Sequence, residues 1–234
     1  MKNPKEAFNQ DYFESGKFSY YTKEFCFNQY AQMMFPVIEA VKNEANFYRT
    51  LELAEGQIKV LDLGCGNGML LKLLLDAGFD AHGIDVSEYC TKNLCSPILN
   101  SRVVCGDFME LHKYFNKDVF DVVVSVHSLE YYNTEEINQI IEESSKVMRN
   151  AGRFIVSVFT DQNQSMINDN IYPDPHRLRG LTPANWCVNF VCNDRISMNN
   201  ISGLVGVGES TLFKMAVHGL IDSENLKELY LIKA

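Results

Sequence analysis

Three glycines at alternate positions, Gly64, Gly66 and Gly68, constrain the fold of this chain more than any other feature. Ahead of them, Val60, Leu61 and Leu63 make a short apolar run that reads as a buried strand. Behind them, Met69-Leu70-Leu71-Lys72-Leu73-Leu74-Leu75 opens a helix. Strand, glycine turn and helix form the first half of a βαβ unit. In such a unit the turn lies at the carboxyl end of a parallel strand, where open α/β sheets bind ligands. Glycine lets the backbone come close to a ligand where a Cβ would collide with it.

The spacing narrows the choice of ligand. A dinucleotide fingerprint, Gly-x-Gly-x-x-Gly, requires a third glycine at position 69, which is Met69. Asp62 stands two residues before the first glycine. A carboxylate there repels a pyrophosphate and suits a ligand carrying positive charge, whether it acts directly, through a water or by orienting the loop.

Asp62-x-Gly64-x-Gly66-x-Gly68 resembles motif I of the class I S-adenosylmethionine-dependent methyltransferases. The resemblance implies an α/β, doubly wound, mostly parallel seven-stranded sheet, a Rossmann-like methyltransferase fold. It also implies S-adenosyl-L-methionine as cofactor and S-adenosyl-L-homocysteine as product. The loop Asp62, Gly64, Cys65, Gly66, Asn67, Gly68 then passes under the cofactor's amino-acid end.

Downstream residues extend the likeness. Asp80 to Asp85 reads as the second strand, and Asp85 lies about 20 residues beyond the first glycine, where an acid accepts from ribose hydroxyls. It resembles the family's motif II acid, with Val86 beside it. Gly106-Asp107-Phe108 follows the third strand; by resemblance Asp107 accepts from the adenine amino group and Phe108 lies beside the ring, and otherwise Asp107 caps a turn. Val119 to Ser125 is a buried strand, and Ser125-Val126-His127-Ser128-Leu129-Glu130-Tyr131 resembles motif IV, with Tyr131 where a histidine is frequent. Thr134-Glu135-Glu136 starts a helix, Asn150 to Arg153 stops it, and Phe154 to Phe159 is the fifth strand. The resemblance covers residues 58 to 159.

The flanks divide the chain into residues 1–50, a helical and aromatic lid, and 51–234, the cofactor-binding domain, with acceptor-side loops and last strands over 161–234. Helix is expected from Ala31 to Leu53, with Phe35, Ile38, Val41 and Ala45 on its apolar face and Pro36 in a first turn. Tyr20 and Tyr21, near Gly16 and Ser19, are the aromatics best placed to cover the cofactor. Toward the other end, Arg195 to Met198 and Leu229 to Lys233 read as the sixth and seventh strands. Gly203 to Gly208 reads as a flexible loop and Ser210 to His218 as a short helix.

Composition excludes several classes. A net charge of −9 over 234 residues argues against a long nucleic-acid footprint. No apolar run reaches transmembrane length, and the start of the sequence lacks an apolar signal core. Seven cysteines without a Cys-x-x-Cys pair read as reduced thiols in a cytoplasmic protein, and no metal spacing appears.

Methyl transfer to a neutral hydroxyl or amine requires one group that takes a proton. The candidates are His176, in the stiff Pro173-Asp174-Pro175-His176 loop, His127 after the fourth strand, and Glu130. The Asn/Asp-Pro-Pro-Tyr/Phe turn of enzymes that methylate nucleic-acid amino groups and a Pro-Cys nucleophile are both absent, which leaves an O or N atom of a small-molecule, sugar or peptide acceptor. A monomer or homodimer is expected. Two other readings stay open: a non-catalytic S-adenosylmethionine-binding regulatory module and an NAD-dependent oxidoreductase, the latter disfavoured by Met69.

Overall fold

The computed structural model describes residues 4–15, 27–50, 56–159, 205–207 and 210–216. Two short helices, α1 (Pro4–Ala7) and α2 (Gln10–Glu14), precede the long α3 (Phe27–Thr50). The βα alternation follows as β1 (Lys59–Leu63), α4 (Met69–Asp76), β2 (Asp80–Asp85), β3 (Val103–Cys105), β4 (Phe120–Val126), α5 (Thr134–Val147) and β5 (Met148–Phe159). A hairpin, β6 (Val205–Val207) and β7 (Ser210–Ala216), closes the described part of the sheet.

The strands hydrogen-bond in the order β3-β2-β1-β4-β5-β7-β6. The first five are parallel, and β7 runs antiparallel to β5. From β1 the chain winds outward to β2 and β3, then returns to place β4 on the other side of β1. This reversal opens a crevice at the carboxyl ends of β1 and β4, the place where doubly wound sheets hold ligands.

Side chains alternate between the two faces of the strands and build two cores. One joins Leu61, Leu63, Ile84, Val123 and Phe154 to Ile137, Ile140 and Ile141 of α5. The other joins Val60, Ala81, Val122, Val124 and Ile155 to Leu70, Leu71 and Leu74 of α4 and to Val37, Ile38, Val41 and Ala45 of α3. Burial on both faces is why β1 and β4 read as mostly apolar runs, interrupted by the buried Asp62, Asp121 and Ser125.

Four expectations need correction. Pro36 lies well inside α3 and not in a first turn, because the helix begins at Phe27. Its packing face is Met34, Val37, Ile38, Val41 and Ala45, which leaves Phe35, one residue out of phase, 60% exposed. The expected helix over 210–218 is instead strand β7, paired with β5 from Arg153↔Ala216 to Phe159↔Ser210. Seven residues are too few for periodicity to separate helix from strand, and the backbone edge of β5 decides. Part of the expected 203–208 loop is correspondingly strand β6. The expected strands at 195–198 and 229–233 lie outside the described residues.

Caps hold the elements in place. Asn133, one residue before Thr134, accepts from the Glu136 amide at 2.9 Å, and the Glu136 carboxylate accepts from the Asn133 amide at 2.8 Å. This capping box fixes the start of α5. Arg153 Nε donates to Glu44 Oε2 at 2.9 Å and ties α3 to β5.

Candidate functional site

The turn after β1 takes a shape that the glycines make possible. Gly64, Gly66 and Gly68 have φ of 77°, 53° and 80°, all in the left-handed region. The Gly64 and Cys65 amides both donate to the Ile84 carbonyl, at 2.8 and 3.2 Å, so the loop leaves β1 bound to the end of β2. A Cβ on Gly64 would lie 2.1 Å from Ser128 Oγ and 4.0 Å from Phe108. The turns after β1, β3 and β4 therefore converge on Gly64. Gly68 caps α4, with its carbonyl accepting from the Lys72 amide at 2.9 Å, and the Asn67 side chain accepts from the Met69 amide at 3.3 Å.

Two carboxylates sit beneath this turn. Asp62 is only 2% exposed, and no hydrogen bond reaches its carboxylate among the described residues. Burial, with Asp85 nearby, pushes its carboxyl up to about 8. Asp85 is pushed up by burial and held back by two backbone donors. Gly66 donates to its Oδ2 and Ser87 to its Oδ1, each at 2.8 Å. Each carboxylate oxygen has a second lone pair, so these bonds leave Asp85 able to accept from a ligand hydroxyl. Cys65 is buried, and its thiol is pushed well above its ordinary value by burial and by both acids; it is packing, not a nucleophile.

At the end of β3 the Gly106 amide donates to the Asp85 carbonyl at 2.9 Å, and a Cβ there would overlap the Tyr114 ring at 2.5 Å. Asp107 caps the short 3-10 helix Phe108–Lys113 by accepting from the Met109 amide at 2.9 Å. Phe108 is buried against Tyr132, with ring centroids 5.2 Å apart. Val86 is buried.

The end of β4 carries the polar groups of the crevice. Ser125 is fully buried, and its hydroxyl has no hydrogen-bond partner among the described residues. His127 takes φ of 53°, a conformation that residues with a Cβ rarely adopt, while its amide donates to the Ser157 carbonyl at 2.9 Å. Its Nδ1 stands 3.1 Å from Oε1 of Glu130, a residue 1% exposed in the turn Leu129–Tyr131.

Of the expected site residues, the structure thus brings Asp62, the glycine loop, Asp85, Ser125, His127 and Glu130 to one edge of the sheet. Tyr20, Tyr21 and His176 lie outside the described residues. Sequence reading did not single out Ser128, which backs Gly64, nor Ser87, whose hydroxyl donates to the Phe8 carbonyl at 2.6 Å. It also passed over the contact of the Tyr12 and Tyr131 hydroxyls at 3.0 Å, with Phe8 edge-on to both rings. The Asp85-x-Ser87 spacing of an Asx turn could have flagged Ser87. The contacts with Tyr131 join residues more than a hundred positions apart, and no local signal reports them. Among the described residues no cluster could hold a metal ion. None of the described helices is long and apolar enough to cross a membrane.

Comparison with known proteins agrees with this geometry. Residues 60–152 match the family described as a methyltransferase domain. Over 116 residues the chain is 30% identical to an uncharacterized methyltransferase of Schizosaccharomyces pombe, covering 49% of this chain and 45% of that protein. Over 183 residues it is 27% identical to the 18S rRNA (guanine-N(7))-methyltransferase bud23 of the same organism, covering 71% of this chain and 61% of that one. The chain thus spans about half the length of the curated relatives it matches. A SAM-dependent methyltransferase from Archaeoglobus fulgidus shares the fold, with a TM-score of 0.52 at 17% identity over 76% of this chain and 94% of that one. A three-glycine turn over a buried acid at the switch point of the sheet thus lies within the stretch, residues 60–152, that matches the methyltransferase domain family, on the fold that the Archaeoglobus fulgidus enzyme shares.

Proposed function

We propose that this chain binds S-adenosylmethionine and moves its methyl group to an O or N atom of a small-molecule, sugar or peptide acceptor. The observation that carries the reading is Asp62. It is a carboxyl buried beneath a left-handed glycine loop and pushed up to about 8, and a bound cation would hold it charged. A pyrophosphate offers no positive charge to hold Asp62 ionised, and Met69 stands where a dinucleotide loop has glycine, which disfavours the NAD reading. S-adenosylmethionine supplies, when bound, a methyl group already activated by a sulfonium. The work of the chain is then to hold cofactor and acceptor in line, a proximity effect. Asp62 and the loop 64–68 take the amino-acid end, Asp85 the ribose, and Asp107 with Phe108 the adenine. Ser125 and His127 stand at the end of β4, and the Phe8 to Phe13 segment, seated on Ser87 and Tyr131, serves as part of a lid over residues 1–50.

Isothermal titration with S-adenosylmethionine, S-adenosylhomocysteine and NAD tests the reading, repeated on Asp85→Asn. The expected result is micromolar binding of both sulfur ligands and weakening of both in the variant. Binding of NAD alone refutes it. Likeness to an rRNA methyltransferase over 71% of the chain favours a second reading, an RNA acceptor, against which the net charge of −9 weighs. Salt-dependent binding of an RNA duplex or hairpin would select that reading.

A further inference from the structure

The turn after β4 contains more than the binding of a methyl donor requires. His127 is held in a left-handed backbone conformation at the end of a strand paired on both sides, with its amide bound to Ser157 of β5. A strained non-glycine residue persists where its surroundings over-determine it, and such residues gather at functional sites. The strain puts an imidazole at the topological switch, one residue before Ser128, whose hydroxyl lies where a Gly64 side chain would begin. Its Nδ1 faces the carboxylate of Glu130, a residue 1% exposed. An acid so deeply buried and aimed at an imidazole nitrogen fixes which nitrogen carries the proton.

We propose that His127 is the proton-accepting residue of the methyl transfer and that Glu130 is its positioning residue, so that the acceptor is a neutral O–H or N–H group whose proton must leave. This rests on the methyltransferase reading above. With the Nδ1 proton directed at Glu130 Oε1, the unprotonated, basic nitrogen of the neutral ring is Nε2. In the transfer the acceptor lone pair forms a bond to the methyl carbon. The carbon–sulfur bond breaks with its electron pair going to sulfur. The proton leaves the acceptor for Nε2, and the resulting imidazolium shares its Nδ1 proton with the Glu130 carboxylate. The imidazolium later returns the proton to water. His127 is thus catalytic in the strict sense, and Glu130 acts through it.

The test needs no knowledge of the acceptor. S-adenosylmethionine and S-adenosylhomocysteine differ by one methyl group and one positive charge on sulfur. A base poised beside the transferring methyl must feel that charge, whereas a remote histidine must not. Long-range proton–nitrogen NMR spectra of the full chain, labelled at histidine and assigned with His127→Gln, follow the His127 ring against pH with each ligand at saturation.

The His127 midpoint is expected to lie lower with S-adenosylmethionine than with S-adenosylhomocysteine, by on the order of one pH unit. The neutral ring is expected to carry its proton on Nδ1. Glu130→Gln is expected to keep both ligand affinities within about threefold while mixing the two tautomers of the neutral ring. If both ligands bind and the midpoint is the same in each, His127 is not at the reaction centre and the proposal falls while the methyltransferase reading stands. An unchanged tautomer in Glu130→Gln removes the positioning role. Failure of both ligands to bind the parent chain overturns the methyltransferase reading and this proposal with it.

Discussion

Replacing Asp62 with asparagine sets stability against binding at a single buried atom pair. Burial and the neighbouring Asp85 lift the Asp62 carboxyl from 3.8 to about 8 in the folded chain. In the unfolded chain it titrates near its ordinary value. Between about pH 4 and pH 8 the unfolded state has therefore lost a proton that the folded state retains. The sign follows: this group's contribution to stability is fullest below about pH 4, declines as pH rises, and levels off above about pH 8. At about 1.4 kcal/mol per unit, the decline amounts to roughly 4 kcal/mol by pH 7 and roughly 6 kcal/mol above pH 8. Asparagine has nothing to titrate. The variant should accordingly gain on the parent chain by about 4 kcal/mol between pH 5 and pH 8. Urea denaturation of both proteins at the two pH values measures this double difference. The same substitution removes the charge that a cationic ligand meets, and should weaken S-adenosylmethionine binding by about tenfold to a hundredfold. A stability difference that is the same at pH 5 and pH 8 would refute the assignment of Asp62 as a carboxyl held neutral by its burial.

Two other substitutions probe the frame around the site. Gly64→Ala forces a side chain onto a φ of 77° and into Ser128 Oγ at 2.1 Å; it should cost about 2 kcal/mol or more and abolish cofactor binding, read by thermal unfolding and titration. Arg153→Met removes the guanidinium from the buried Glu44 carboxylate and should destabilise by about 3 kcal/mol, whereas Glu44→Leu combined with Arg153→Met should recover most of that loss. A double variant no more stable than the single one would show that the pair does not act as a unit.

The half of the site that binds the cofactor was legible because its signals are local. Glycine alternation, Asp62 two residues upstream and Asp85 at a strand end are each read within one βα unit, and the backbone obeys them: all three glycines take positive φ. The buried strands were legible because burial on both faces favours apolar residues at most of their positions. What the sequence withheld is set by distant pairing. Strand β7 forms because β5 presents an open edge, a fact stored some fifty residues away. Glu130 was readable as a candidate, but its burial and its aim at His127 follow from a 3-10 turn that no periodicity announces. Likewise Phe35 and Phe8 look alike as aromatic residues of the leader, yet one faces solvent and the other packs edge-on to Tyr131.

The two acids also determine where on the cofactor each charge is met. Asp85 already holds two backbone donors, which oppose the upward push of its burial. Among the described residues no such donor reaches Asp62, which keeps its proton until a positive charge arrives. At pH 7 a carboxyl with a value of about 8 is about nine-tenths protonated, so binding of a cationic group beside Asp62 should release close to one proton. Titration in two buffers of different ionisation enthalpy counts that proton. S-adenosylmethionine and S-adenosylhomocysteine share the ammonium and differ in the sulfonium. If Asp62 faces the amino-acid end, both ligands should release the same amount, and Asp62→Asn should abolish the release for both. Release with S-adenosylmethionine alone would place Asp62 against the sulfonium, and would make the loss of product charge the event that returns the proton and loosens the site.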